Sequence, residues 1–273
     1  MPGPWGDGVI PSETGRGKHR TPHGVRLLHY GLPIALGWSI PLAVQRATGQ
    51  PLLLPGQLFL LLGIAAAYAL DRLLDAPEDG EGARLRPLLM AGFAGSAALG
   101  TAMALLLPRR NLALVLLLGA SALGYRRWKR FPFAKALGVP LAWTWASLVL
   151  PFPAQSWFGW RALLAPVAPT LFLLFAAGCL LCDLKDEGAD ARSGVRSFPV
   201  MFGARWTMAA SMVLAVGAMG RAWSAHRPGL AASGAALFIL GLFPQLTARG
   251  VLGALAVDAA LALPGLFIWM HLV

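Results

Sequence analysis

Apolar residues in this chain fall in long unbroken runs rather than in alternations or narrow stripes. Nine runs approach the roughly 20 residues that cross a bilayer as a helix. They are 27–45, 52–74, 87–107, 111–126, 135–152, 163–182, 204–223, 230–247 and 251–272. Continuous apolarity predicts helices, because the strands of a membrane barrel would alternate. The first run is the weakest: Gln45 and Arg46 close it early, and Pro33 and Pro41 are expected to interrupt it. Small residues recur inside the runs, as in GASALG at 119–124, and let helices approach closely. Residues 1–24 are Gly/Pro-rich and basic with no apolar core, which predicts a disordered tail rather than a signal peptide. One transmembrane domain is expected over 25–273.

Composition agrees with this pattern. Hydrophobic residues make up 57% of the chain and charged residues 13%, with mean hydropathy +0.63. A soluble domain carries about 25% charged residues. A soluble globule is therefore excluded, and an all-α polytopic membrane protein of about nine helices is expected. The net charge of +11 raises a nucleic-acid partner, but no motif of that kind is present. The bases serve better as topology signals and lipid headgroup contacts. With nine alternating spans, seventeen of the 23 Lys and Arg fall on one side, which the positive-inside bias makes cytoplasmic. The N-terminus then lies in the cytoplasm, and the expected location is a bacterial inner membrane. Cys179 and Cys182 close an apolar run and read as packing, since two cysteines build no disulfide scaffold.

The acids are not spread evenly. Of twelve Asp and Glu, nine lie in two stretches, Tyr68 to Glu81 and Cys182 to Gly203, and both end an apolar run on the cytoplasmic side. Asp71, Asp75 and Asp79 are four apart, although Pro77 should end the helix near Asp75. Asp183, Asp186 and Asp190 are spaced to share a helix face. Clustered carboxylates repel unless cations join them. Mg²⁺ takes oxygen ligands and is often held by one or two carboxylates plus substrate phosphates. Each stretch is therefore expected to hold Mg²⁺ against a diphosphate. Arg86, Lys129, Lys135, Arg192 and Arg196 lie beside the acids and are the expected diphosphate-binding bases.

These residues resemble the UbiA superfamily of intramembrane prenyltransferases. Asp71-xxx-Asp75-xxx-Asp79 is similar to the family's first acidic motif, and Asp183-xx-Asp186-xxx-Asp190 to its second. The run from Gly194 to Gly203, Tyr125-xxx-Lys129 and Arg86-Pro87-Leu88 match further family patterns in order. The first motif differs from the usual one, with Asp71 followed by Arg72 where the family has Asn followed by an acid. The resemblance implies transfer of a prenyl group from an allylic prenyl diphosphate to a lipid-soluble, aromatic or related acceptor within the membrane. It implies one Mg²⁺ on Asp71, Asp75 and Asp79 and another on Asp183, Asp186 and Asp190. Asp71, Asp75, Asp183 and Asp186 would be the catalytic carboxylates, with Lys129 and Arg196 on phosphate oxygens and Tyr125 beside the substrate.

Asp258 stands alone within the last run, about 10 Å deep by helix rise. An intramembrane acid is a functional candidate, and contact with the acceptor is the expectation; a hydrogen bond to a neighbouring helix is the alternative. Two other functions fit the same chain. One is a terpene cyclase in which the ionised substrate attacks itself, and the other is a transporter or non-catalytic lipid-binding protein. Transporters carry their acids near mid-membrane at broken helices, whereas these acids lie at the ends of runs.

Overall fold

The structure, a computed structural model, describes residues 23–75, 82–152, 167–248 and 250–270. Ten α-helices follow in order: α1 (His23–Thr48), α2 (Leu54–Asp75), α3 (Gly82–Leu105), α4 (Arg109–Trp128), α5 (Val139–Val149), α6 (Val167–Arg192), α7 (Phe198–Ser224), α8 (Pro228–Leu242), α9 (Pro244–Thr247) and α10 (Gly250–Trp269). A π-helical turn, Ala134–Gly138, leads into α5. No strand occurs among the described residues. The tail up to residue 22, Asp79 and the 153–166 connection lie outside them.

Each predicted run coincides with a helix, but not each helix has membrane-spanning length. Among the described residues, Leu54–Leu74, Arg86–Leu105, Val167–Arg192, Phe198–Ser224 and Gly250–Trp269 are long and apolar enough to cross a membrane. Asn111–Tyr125 and Pro228–Leu242 are shorter apolar helices. The run 230–247 is apolar throughout yet breaks at Phe243 (φ −118°, ψ 68°), before Pro244, whose ring cannot continue the helix.

The first run corrects an expectation. Pro33 and Pro41 lie inside α1, which nevertheless runs unbroken to Thr48. A proline at 41 has no N–H to give the carbonyl four residues earlier, that of Gly37. Gln57 Nε2, on α2, donates to Gly37 O instead, at 2.8 Å. Ser39 ties α1 to α10 next to Pro264. Its hydroxyl donates to Ala262 O at 2.9 Å and accepts from Gly265 N–H at 2.8 Å. At Pro41, a side chain of the neighbouring helix thus satisfies a carbonyl that proline would leave bare in lipid.

The centre of the bundle is α6, packed against α5, α7, α8 and α10. Leu171, Ala177 and Leu181 on it are fully buried. Close approach is paid for in side-chain volume. Gly178 admits Val257 and Leu261 of α10, and Gly234 of α8 lies against the Ala215 carbonyl and Met219 of α7. The perimeter is apolar instead of polar: Leu105, Leu123, Val213, Trp223 and Trp269 are exposed. That distribution suits a lipid surrounding. The first and last long helices, α1 and α10, pack together and run in the same direction: Ser39 meets Ala262, and Ala43 and Ala47 lie with Pro264 and Ile268 further along.

Candidate functional site

The second acidic stretch is helical. The apolar run stops at 182, but α6 continues ten residues to Arg192. Gly194 ends it in the left-handed region, at φ 71°. The N–H groups of Val195 and Gly194 donate to Asp190 O (2.9 Å) and Ala191 O (3.3 Å), the paired bonds of a Schellman cap. Asp183, Asp186 and Asp190 therefore occupy the last turns of a rigid, mostly buried helix. They share one face, as their spacing predicts.

Lys135 proves this directly. Its ammonium lies 2.8 Å from Asp183 Oδ1, 2.9 Å from Asp190 Oδ2 and 3.8 Å from Asp186 Oδ2. The Asp183 and Asp190 side chains are only 5% and 9% exposed, so water screens these pairs weakly. Asp186 is more open, and Lys185 also pairs with it, at 3.0 Å. Asp183 Oδ2 is buried without a hydrogen-bond partner. Two ammonium groups against three carboxylates leave this face one negative charge in excess.

The segment before α5 delivers Lys135. Trp128 ends α4, its indole N–H donating to Ser121 O at 2.8 Å. Phe133 then takes a left-handed conformation (φ 60°) and packs on Phe198 and Phe202 of α7. The following π-helical turn swings Lys135 towards α6. Turns of this kind recur at functional sites.

Tyr125 lies in the last turn of α4 and is half-buried. Its ring packs edge-on against Trp128, centroids 4.9 Å apart, and the Lys129 ammonium sits 5.6 Å from its centre. Lys129 thus meets an aromatic face, at the range of a cation–π contact.

The other candidates divide by position. Asp71 is exposed on the penultimate turn of α2, and Asp75 is the last residue of that helix. Arg86, Arg192 and Arg196 are exposed, the last two flanking the Gly194 turn. Asp258 is 8% exposed on α10, a helix packed against α1, α6 and α8. Among the described residues, no three or more His, Cys, Asp or Glu side chains converge on one point. Lys135 holds the space between the three aspartates of α6.

A family model for the UbiA prenyltransferase family matches residues 31–271. The chain belongs to that family. A solved relative has the same fold: the apo structure of a UbiA homolog from Aeropyrum pernix K1 superposes with a TM-score of 0.63. Its sequence is 18% identical, and the match covers 90% of this chain and 98% of that one. Among curated proteins, none matches this chain. UbiA membership together with the apolar helices makes this an integral membrane protein of prenyltransferase type. What sequence reasoning missed is the place of Lys135, grouped with four other bases yet seated among the acids. The only hint was its position at the very start of an apolar run, where a lone charge needs a partner.

Proposed function

We propose that this protein uses Mg²⁺ to transfer a prenyl group from an allylic prenyl diphosphate to a lipid-soluble acceptor, with its acidic end facing the cytoplasm of a bacterial cell. The observation that carries the reading is the α6 face, where three aspartates meet only Lys135 and Lys185 and Asp183 Oδ2 has no hydrogen-bond partner. Such hard, anionic oxygen donors fit Mg²⁺, which commonly takes one or two carboxylates and completes its shell with water and substrate phosphate. Asp183, Asp186 and Asp190 would hold one ion and Asp71, Asp75 and Asp79 the other. When bound, Mg²⁺ neutralises charge that gathers on a departing diphosphate.

The remaining work falls to the chain's own residues. Lys135, seated among these aspartates, would donate to an oxygen of the leaving diphosphate. Arg192 and Arg196, exposed beside the Gly194 turn, receive the terminal phosphate as it enters, and Arg86 and Lys129 assist. The allylic C–O bond breaks with its electron pair going to the diphosphate. The acceptor's nucleophilic carbon then bonds to the allylic carbon and loses a proton. The Tyr125 ring would face that cation. Apolar walls of the bundle exclude water, which would otherwise quench the cation. Asp258, deeper in the bundle, contacts the acceptor.

The test is diphosphate release by purified protein given prenyl diphosphates of several lengths with Mg²⁺. Release that depends on an added acceptor supports transfer. Release without acceptor indicates cyclisation of the substrate on itself. Absence of release at every chain length would point to a non-catalytic lipid-binding protein or a transporter.

A further inference from the structure

A second polar site lies at the other end of the bundle, and the acidic motifs do not use it. From the acidic end, α7 runs 27 residues, on the order of 40 Å, before the chain turns at Ala225. There a cavity of about 290 Å³ opens between the ends of α1 and α10 and the start of α8. Arg46, His226 and Arg227 line it together with Ala47, Gly229 and Pro264. Its volume is near the lower end of small-molecule sites, about 300–1,000 Å³.

Among the described residues that line this cavity, the charged ones are Arg46 and Arg227. Arg227 Nη2 donates to Ala47 O at 3.4 Å, while Arg227 Nη1 is buried with no hydrogen-bond partner. A desolvated N–H of this kind is costly unless an anion meets it. Partial burial pulls the guanidinium below its ordinary pKa, as expected of a cation lacking a counter-ion. The first turn of α8 has no acidic residue, and its positive dipole end opens on the same space. Gly229 lets that turn sit close to Pro264 of α10, where a larger residue would crowd the backbone. Among the described residues, no aspartate or glutamate lines the cavity.

We propose that this cavity binds a phosphate group, with Arg227 as its principal donor, Arg46 beside it and the α8 N-terminus behind it. A phospholipid headgroup and a free phosphate present the same chemistry. The site is separate from the acidic end, so the proposal stands whatever reaction occurs there.

Native mass spectrometry of the full-length protein in detergent, titrated with phosphatidylglycerol, tests it. Wild type should retain one such lipid more tightly than Arg227→Gln by roughly tenfold or more, the usual worth of a charge-assisted hydrogen bond. Ala47→Phe keeps both arginines but fills the cavity, and should lose the lipid equally while its melting temperature confirms folding. Displacement of the lipid by inorganic phosphate assigns the site to the free anion; failure to displace assigns it to the lipid headgroup. Equal retention by wild type and both variants would overturn the proposal.

Discussion

Lys135 holds three carboxylates together at the end of α6, and its removal should be felt in two ways. Lys135→Met leaves Asp183 and Asp190 buried without their counter-charge, a change that costs on the order of 3 kcal/mol. Thermal unfolding in detergent should register that loss. Asp183→Asn lowers the local repulsion while keeping the shape, so it should cost far less stability yet still remove activity. If the two variants melt alike, the ammonium is not the clamp it appears by distance. The aspartates themselves were legible in the sequence, because their spacing alone places them on one face. The partner was not. Lys135 reaches them only because Phe133 reverses the backbone and a π-helical turn follows, and neither feature has a sequence signal as plain as a repeat of acids.

At the scale of helices, the informative positions are those that repair backbone groups. Gln57 donates to the Gly37 carbonyl that Pro41 cannot reach. Gln57→Leu should therefore destabilise the bundle by about 1–3 kcal/mol, the cost of stranding a buried acceptor, and a denaturant or thermal melt should show it. An unchanged melt would mean that α1 tolerates the prolines unaided. At the end of α6, Gly194 permits the left-handed turn. Gly194→Val should cost about 1–2 kcal/mol and loosen the turn bearing Asp190, visible as faster hydrogen exchange over 186–195, whereas Gly194→Asn should be milder. The apolar runs located the helices well, since nothing but a helix satisfies so long a run. Their ends were less legible. The apolar run ended at 182, whereas the helix continues to Arg192 and Gly194 is its stop. Pro41 looked like an interruption because the group that meets the freed Gly37 carbonyl sits on another helix, α2.

The whole molecule is a bundle with a basic-and-acidic end and a purely basic end, divided by apolar packing. Helices α1 and α10 pack in the same direction, as expected of the first and last of nine crossings. With that topology, Arg192 and His226 should lie on opposite sides of the membrane. Both are exposed. In intact cells, a membrane-impermeant maleimide should label His226→Cys and spare Arg192→Cys until the membrane is opened. Labelling of both in intact cells would break the topology.

The central claim is that the α6 face is where an allylic diphosphate ionises. The most direct measurement compares diphosphate release by wild type and Asp186→Ala, purified in the same lipid with Mg²⁺, an allylic prenyl diphosphate and candidate acceptors. Asp186 is the most open of the three aspartates, so its loss should spare folding. The account predicts that wild type releases diphosphate and that the variant melts normally but releases none above background. Undiminished release by Asp186→Ala would contradict it.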